Sequence, residues 1–139
     1  MVKFIYEVLE EAGKARAKAD KVRILKENES WALKDVLRGS IDSTIKWWLP
    51  EGEVPYTPSP DHSAPSNLLK QNTKFVYFVK GSQAAEKLPQ FKRERIFLGI
   101  LEAIHPEDAK LLVKMINKEA PKGITKNVVM EAFPGLIRE

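Results

Sequence analysis

A short basic stretch near the C-terminus holds the residue types best suited to binding a phosphate. This stretch, residues 122–127, follows a helix-forming run that ends at Lys118 and includes the start of a second one at Thr125. The first N–H groups of a helix lack intrahelical partners, so this start is expected to offer open donors to an anion. The candidate phosphate ligands of this C-terminal turn are Lys122, Gly123, Thr125, Lys126 and Asn127. In a purely structural interpretation, Gly123 ends one helix and Thr125 caps the next.

Basic residues are concentrated in the second half of the chain. The net charge is +4, yet residues 70–126 hold twelve Lys or Arg against six acids, whereas residues 1–69 hold ten against eleven. Besides the C-terminal turn, the candidate contacts for an anionic ligand are Lys92, Arg93 and Arg95 at a predicted helix start, and Lys70 and Lys74 before an aromatic run. This asymmetry favours an anionic partner such as nucleic acid, and a solvated basic surface is the alternative.

Sequence signatures of catalysis and of metal binding are missing. The chain has no cysteine, and its two histidines, His62 and His105, stand far apart without further ligands at metal-binding spacing. No glycine-rich nucleotide loop, zinc-binding histidine pair or nucleophile elbow occurs. We therefore expect a protein that is not an enzyme and that has no cofactor, metal or small-molecule substrate.

No stretch has the character of a signal peptide or of a membrane span. The apolar run from Phe4 to Leu9 is interrupted by Glu7 and followed by two more acids. No run approaches the ~18 apolar residues that a membrane-spanning helix needs. We expect a soluble cytoplasmic protein without a membrane partner.

Apolar residues recur at helical spacing along most of the chain, which predicts an all-α fold: one compact domain over residues 1–139 with about seven to eight helices. The predicted helices cover residues 4–12, 15–27, 30–50, 72–80, 90–104, 106–118 and 125–133. The third is expected to run from an N-cap at Ser30 to Pro50, with Trp48 in the core and Trp47 partly exposed. Adjacent aromatics also occur on base-stacking platforms, so a stacking role for this pair is a further hypothesis.

Five of the nine prolines fall between residues 50 and 66. Proline lacks an amide donor and restricts its predecessor, so neither a helix nor a central strand can pass through them. This proline-rich loop is long for a compact domain and is expected to be functional or mobile. It could also link two small lobes.

Three segments of the sequence carry a resemblance to a known family. They are the run 123–137, which ends in Phe-Pro-Gly-Leu-Ile, the helix 33–38 (Leu-Lys-Asp-Val-Leu-Arg), and the stretch 45–52 (Ile-Lys-Trp-Trp-Leu-Pro-Glu-Gly). Together they resemble the N-terminal DNA-binding domain of phage-type ATP-dependent DNA ligases. The resemblance implies an all-helical domain that grips phosphates beside the minor groove, with the C-terminal turn as one contact. The loop of a second family contact is replaced by residues 88–95, which carry Lys92, Arg93 and Arg95.

The nucleotidyl-transfer motif of those ligases, Lys-x-Asp-Gly, does not occur in the chain. The nearest string, Lys18-Ala19-Asp20-Lys21, has a lysine in the glycine position. We therefore expect a non-catalytic protein that holds duplex DNA, as an accessory factor in phage-type DNA replication, repair or transcription. Two alternatives stay open: an adaptor that binds a replication or transcription protein through the proline-rich loop, and a helix-turn-helix regulator that reads DNA with residues 125–133.

Overall fold

The structure, a computed structural model, describes residues 3–50, 52, 54–60 and 64–137. Within these residues the chain forms eight α-helices and one 3₁₀ helix, and strand pairing is limited to one isolated bridge. The helices are α1 (Ile5–Lys14), α2 (Lys18–Glu27), α3 (Trp31–Ile41), α4 (Leu68–Gln71), the 3₁₀ helix (Asn72–Phe78), α5 (Gln83–Glu86), α6 (Gln90–Ala103), α7 (Pro106–Ile116) and α8 (Lys126–Ala132). The all-α prediction is confirmed.

One hydrophobic core joins both halves of the chain. Helix α1 packs on α2 and α7, α2 packs on α8, and α3 and α6 both pack on α7. Among the largest fully buried side chains are eight from four α-helices and the 3₁₀ helix: Leu25, Leu33, Leu37, Phe78, Ile100, Leu101, Leu112 and Met115. Burial of each contributes roughly 2 kcal/mol before the loss of conformational entropy. Because α1 to α3 share this core with α6 to α8, the proline-rich loop does not separate two lobes.

Side-chain caps fix several helix starts where the sequence predicts them. The Oγ of Ser30 accepts a hydrogen bond from the N–H of Leu33 at 3.1 Å and so begins α3. Pro106 occupies the first position of α7, where its missing N–H leaves no partner unsatisfied. In front of it, the Nδ1 of His105 accepts from the N–H of Glu107 at 3.0 Å.

Helix α3 ends at Ile41, so the prediction that it continues to Pro50 is wrong. Asp42 follows with extended backbone, and its Oδ1 accepts from the N–H and the hydroxyl of Thr44 at 2.8 and 2.6 Å. Such a local bond offers the backbone an alternative to the helix. The ammonium of Lys118 donates to the carbonyls at this end, which are those of Gly39, Asp42 and Ile45, at 2.6, 2.7 and 3.0 Å.

The two tryptophans after α3 have the reverse of the burial expected from a continuous helix. Trp47 folds back on α3, where its indole N–H donates to the carbonyl of Gly39 at 2.9 Å. Its ring meets that of Phe75 edge to face, with centroids 6.2 Å apart, and packs against the core. Trp48 is 39% exposed. The helical stripe stops with the helix, so it does not carry Trp48 into the core.

The aromatic run 75–79 is divided between a helix and an extended residue. Residues 72–78 form the 3₁₀ helix, which buries Phe75 and Phe78 and exposes Val76 and Tyr77. Val79 then leaves the helix and forms the antiparallel bridge with Trp47. The predicted helix over 72–80 therefore holds as far as Phe78.

The proline-rich loop lies against the ends of α6 and α7. The Oγ of Ser59 donates to the carbonyl of Ile104 at 2.6 Å, and the N–H of Ser66 donates to the carbonyl of Ala103 at 2.7 Å. Helix α6 ends at these carbonyls, so the loop satisfies acceptors that have no intrahelical donor. Within the loop, residues 51, 53 and 61–63, His62 among them, lie outside the described residues.

Candidate nucleic-acid interface

Ion pairing is more frequent in the first half of the chain than in residues 70–95. Five of the ten cations in residues 1–69 pair with an acid: Lys3, Lys18, Arg23, Lys34 and Arg38. Residues 70–95, which we call the basic segment, are different. Six of its cations are exposed and make no ion pair or side-chain hydrogen bond within the described residues: Lys70, Lys74, Lys80, Lys87, Lys92 and Arg95. Charges without protein partners are available to an anionic ligand.

A seventh cation joins the basic segment through backbone pairing. The N–H of Lys80 donates to the carbonyl of Lys46 at 2.8 Å, and the N–H of Trp48 donates to the carbonyl of Phe78 at 2.6 Å. Lys46 is exposed and has no ion pair within the described part of the chain. Sequence analysis missed this neighbour, because 33 residues separate the two lysines and no local pattern connects them.

Arg93, by contrast, is an interior residue, so its prediction as a DNA contact is wrong. It is 2% exposed, and its guanidinium lies 3.8 Å from the ring centroid of Trp48. Its Nε donates to the Trp48 carbonyl at 2.9 Å, and its Nη1 donates to the carbonyls of Ala85 and Leu88 at 3.1 Å each. Arg93 precedes the buried Phe97 by one helical turn, so it shares the inward face of α6. Its charge therefore ties α5, α6 and Trp48 together.

Large apolar side chains accompany the unpaired cations of the basic segment. Phe91 is 60% exposed, and Val76 and Tyr77 are 47% and 36% exposed. Single exposed hydrophobics are ordinary on protein surfaces. Here they alternate with lysines along the chain, which is the composition of surfaces that hold a nucleic-acid backbone and contact its bases.

The start of α8 at the C-terminal turn is capped by a side chain, which corrects the expectation of an uncapped start. The hydroxyl of Thr125 accepts from the N–H of Val128 at 3.3 Å and caps α8, which has seven residues. Gly123, with a φ of 79°, lies against Gly13, and the ammonium of Lys21 donates to the carbonyls of both glycines. Thr125 thus caps a helix and Gly123 packs in a turn, as the purely structural interpretation of these two residues expects.

The remaining predicted residues of the C-terminal turn lie near its surface. Lys122 and Asn127 are exposed, and Lys126 is partly exposed. Lys122 lines a groove of about 630 Å³ between α1 and α7, together with Lys14, Lys110 and Lys114. Three acids line the same groove, Glu10, Glu107 and Glu119, so its charge is nearly balanced. The turn has less uncompensated charge than the basic segment.

The elements behind the two alternative interpretations are both packed on the body of the protein. A further bond holds the proline-rich loop on α6, since the N–H of Thr57 donates to the carboxylate of Glu102 at 2.9 Å. Helix α8 buries Val128 and Val129 and packs on α2. In the helix that the helix-turn-helix interpretation assigns to base reading, residues 125–133, Asn127 has an exposed polar side chain.

The fold and this surface define a compact helical protein whose basic segment makes no ion pair within the part of the chain that the structure describes. The chain belongs to DUF6433, a family of unknown function, whose model matches residues 8–122. The match includes the basic segment and ends one residue before Gly123, where the ligase-like run begins. No curated protein matches the chain. Among the described residues, no cluster of three or more His, Asp or Glu side chains could hold a metal ion, and no helix has the length and apolar character to span a membrane.

Proposed function

We infer that this protein is a non-catalytic nucleic-acid-binding protein that holds duplex DNA by its phosphates. The contrast in ion pairing carries this inference, because none of the exposed cations of the basic segment pairs with an acid within the described residues, while five of the ten cations in residues 1–69 do. Phosphate contacts carry no base information, so binding is expected to be largely independent of sequence. The main contacts are Lys46, Lys70, Lys74, Lys80, Lys87, Lys92 and Arg95.

The resemblance to the ligase DNA-binding domain supports the same inference from the sequence. It suggests an accessory role in phage-type DNA replication, repair or transcription, exercised in the cytoplasm of the host cell. In this proposal Lys122, Lys126 and Asn127 contribute secondary contacts from the C-terminal turn. The adaptor interpretation is weaker, because the described part of the proline-rich loop is held on α6 and not free for a partner.

The salt dependence of binding to a labelled duplex tests this proposal. Each phosphate neutralised by a cation contributes about −0.9 to the slope of log K against log salt. Lys92→Gln/Arg95→Gln is expected to make this slope shallower by about two and to weaken binding. Arg16→Gln/Lys26→Gln is a matched control, since it removes two exposed cations from the first half that make no ion pair within the described residues.

Two results would contradict the proposal. One is the absence of duplex binding by the wild type at about 50 mM salt, where phosphate contacts are strong. The other is an equal effect of the two double variants, which would mean that net charge alone, and not the basic segment, accounts for the binding.

A further inference from the structure

A cleft of about 500 Å³ opens between α3 and the 3₁₀ helix. Its wall includes both charged and aromatic side chains: Trp31, Asp35, Arg38, Trp47 and Phe75. Thr73 and Val79 also line it, and each is the chain neighbour of an exposed lysine of the basic segment, Lys74 and Lys80. The cleft therefore opens beside the proposed phosphate contacts.

Arg38 brings unused hydrogen-bond donors into this cleft. Its Nε is buried and has no hydrogen-bond partner within the described residues. The carboxylate of Asp42 is 3.8 Å from that atom, which is too far for a hydrogen bond. The Nε has no surface for a ligand to contact, but the Arg38 side chain is 35% exposed and its two Nη groups make no hydrogen bond within the described residues, so they can donate to a ligand in the cleft.

Asp35 places an acceptor in the same cleft, one helical turn before Arg38. It is half-buried, and its Oδ2 accepts from the side-chain amide of Asn72 at 2.8 Å. Its Oδ1 accepts no hydrogen bond within the described part of the chain. The pair of Arg38 and Asp35 thus presents donors and an acceptor to one ligand.

Trp31 supplies an aromatic surface at the rim of the cleft. It is 73% exposed, although it begins a helix whose next two residues are buried. The ammonium of Lys34 lies 4.8 Å from its ring centroid. Most of the indole is left in water, where a planar ligand can stack on it.

We propose that this cleft takes one unpaired nucleobase, an inference that rests on the proposed function of the basic segment. The Watson–Crick edge of every nucleobase carries both acceptors and donors, which match Arg38 and Asp35, and the face of the base stacks on Trp31. Lys46, Lys74 and Lys80 then hold the neighbouring phosphates. An apolar peptide helix would cover both charged groups without replacing their water, and a lone phosphate would meet the carboxylate of Asp35.

Single-stranded DNA with a fluorescent label tests the cleft directly, with a duplex of equal length measured in parallel. Trp31→Ala and Arg38→Gln are each expected to weaken single-strand binding about tenfold, in line with the loss of one stacked or hydrogen-bonded base. The duplex affinity of both variants should change less than twofold. Trp31 is so exposed that its replacement leaves the core intact, and Arg16→Gln is the control for loss of one cation.

The outcomes separate this inference from the proposed function. If the wild type binds duplex DNA but both cleft variants bind single strands as the wild type does, the cleft assignment is wrong and the basic segment stands. Equal losses on single-stranded and duplex DNA would also overturn the cleft assignment. If the wild type binds neither form, the proposed function fails. In that case a titration with a nucleoside monophosphate tests the cleft by itself. If the ligand does not quench the tryptophan fluorescence, or quenches it equally in Trp31→Ala, the cleft assignment is wrong as well.

Discussion

Gly13, near the end of α1, and Gly123, in the C-terminal turn, lie backbone against backbone. A Cβ atom on Gly123 would stand 2.3 Å from the carbonyl oxygen of Gly13, and one on Gly13 would stand 2.3 Å from the carbonyl oxygen of Lys122. Lys21 spans the contact by donating to both glycine carbonyls, at 3.1 and 2.7 Å. This junction holds the turn before α8 onto α1 and α2.

Gly123→Ala is therefore expected to destabilise the protein for two reasons. The residue has a φ of 79°, which costs an L-residue roughly 1–2 kcal/mol, and its Cβ would overlap a backbone atom, which adds about 1–3 kcal/mol. Gly135→Ala is the control, because Gly135 has a φ of 83° but nothing within 4 Å of a Cβ. Urea unfolding of both variants measures the packing contribution as their difference, and equal losses would show that the glycine contact contributes nothing.

Arg93→Gln tests the structural role of the buried arginine. It removes the donors that satisfy three buried or partly buried carbonyls, so a loss of roughly 2–4 kcal/mol in the free energy of unfolding is expected. Arg95→Gln, on the exposed side of α6, should change it by less than about 0.5 kcal/mol. Chemical denaturation gives both values. If Arg93→Gln is as stable as the wild type but binds DNA more weakly, Arg93 is a DNA contact and not a structural residue.

Asp108 makes the stability of the protein depend on pH in the direction opposite to that of most carboxylates. Burial raises its pKa from 3.8 to about 6, against the opposing effects of a hydrogen bond from the Tyr6 N–H at 2.9 Å and of the nearby His105. Glu7 and Glu107 also raise it. Because the pKa is higher in the folded state, the protonated carboxyl of Asp108 stabilises the fold relative to the charged one. This contribution is complete below about pH 4 and is lost as the pH rises through about 6.

Asp108→Asn should remove that dependence while keeping an acceptor for the Tyr6 N–H. The variant is expected to be more stable than the wild type at pH 7 by roughly 1–3 kcal/mol, with the difference shrinking toward pH 4. Unfolding curves between pH 4 and 8 measure it, and Glu10→Gln on the exposed side of α1 provides the control. A less stable Asp108→Asn at pH 7 would show that the charged carboxylate stabilises the fold.

Lys118→Asn tests the link between α7 and the end of α3. Lys118 has a φ of 59°, and asparagine tolerates this conformation better than most residues. Its shorter side chain cannot reach the three carbonyls that the ammonium binds, so a loss of about 1–3 kcal/mol is expected. Lys114→Gln on α7 is the control. Thermal unfolding with no difference between the two variants would rule out the link.

The helical class and most helix boundaries follow from local sequence. Ser30 and Pro106 mark helix starts by their own chemistry, and the apolar stripe of α6 is legible without a structure. The end of α3 is not, because it depends on the remote Lys118 and on Trp47 folding back over Gly39. Local periodicity continues past Ile41, and tertiary hydrogen bonds override it.

The candidate site was likewise predictable only in part. The surplus of cations in the second half is a property of composition and needs no coordinates. Which of them are available depends on burial and pairing: Arg93 is interior, while its helix neighbours Lys92 and Arg95 are exposed. Gly123 and Thr125 fit a phosphate site and a packed turn equally well on sequence alone. The Gly13 contact and the Thr125 cap favour the packed turn.

The backbone pairing of Lys46 with Lys80 also gives the fold a chemical reporter. Two primary amines held on adjoining backbone positions can be joined by a short amine-reactive cross-linker, and the resulting peptide pair would be diagnostic of native topology in mass spectrometry. The same amines would be shielded from acylation by a bound polyanion. Protection of this one pair would thus register occupancy of the surface without any labelled ligand.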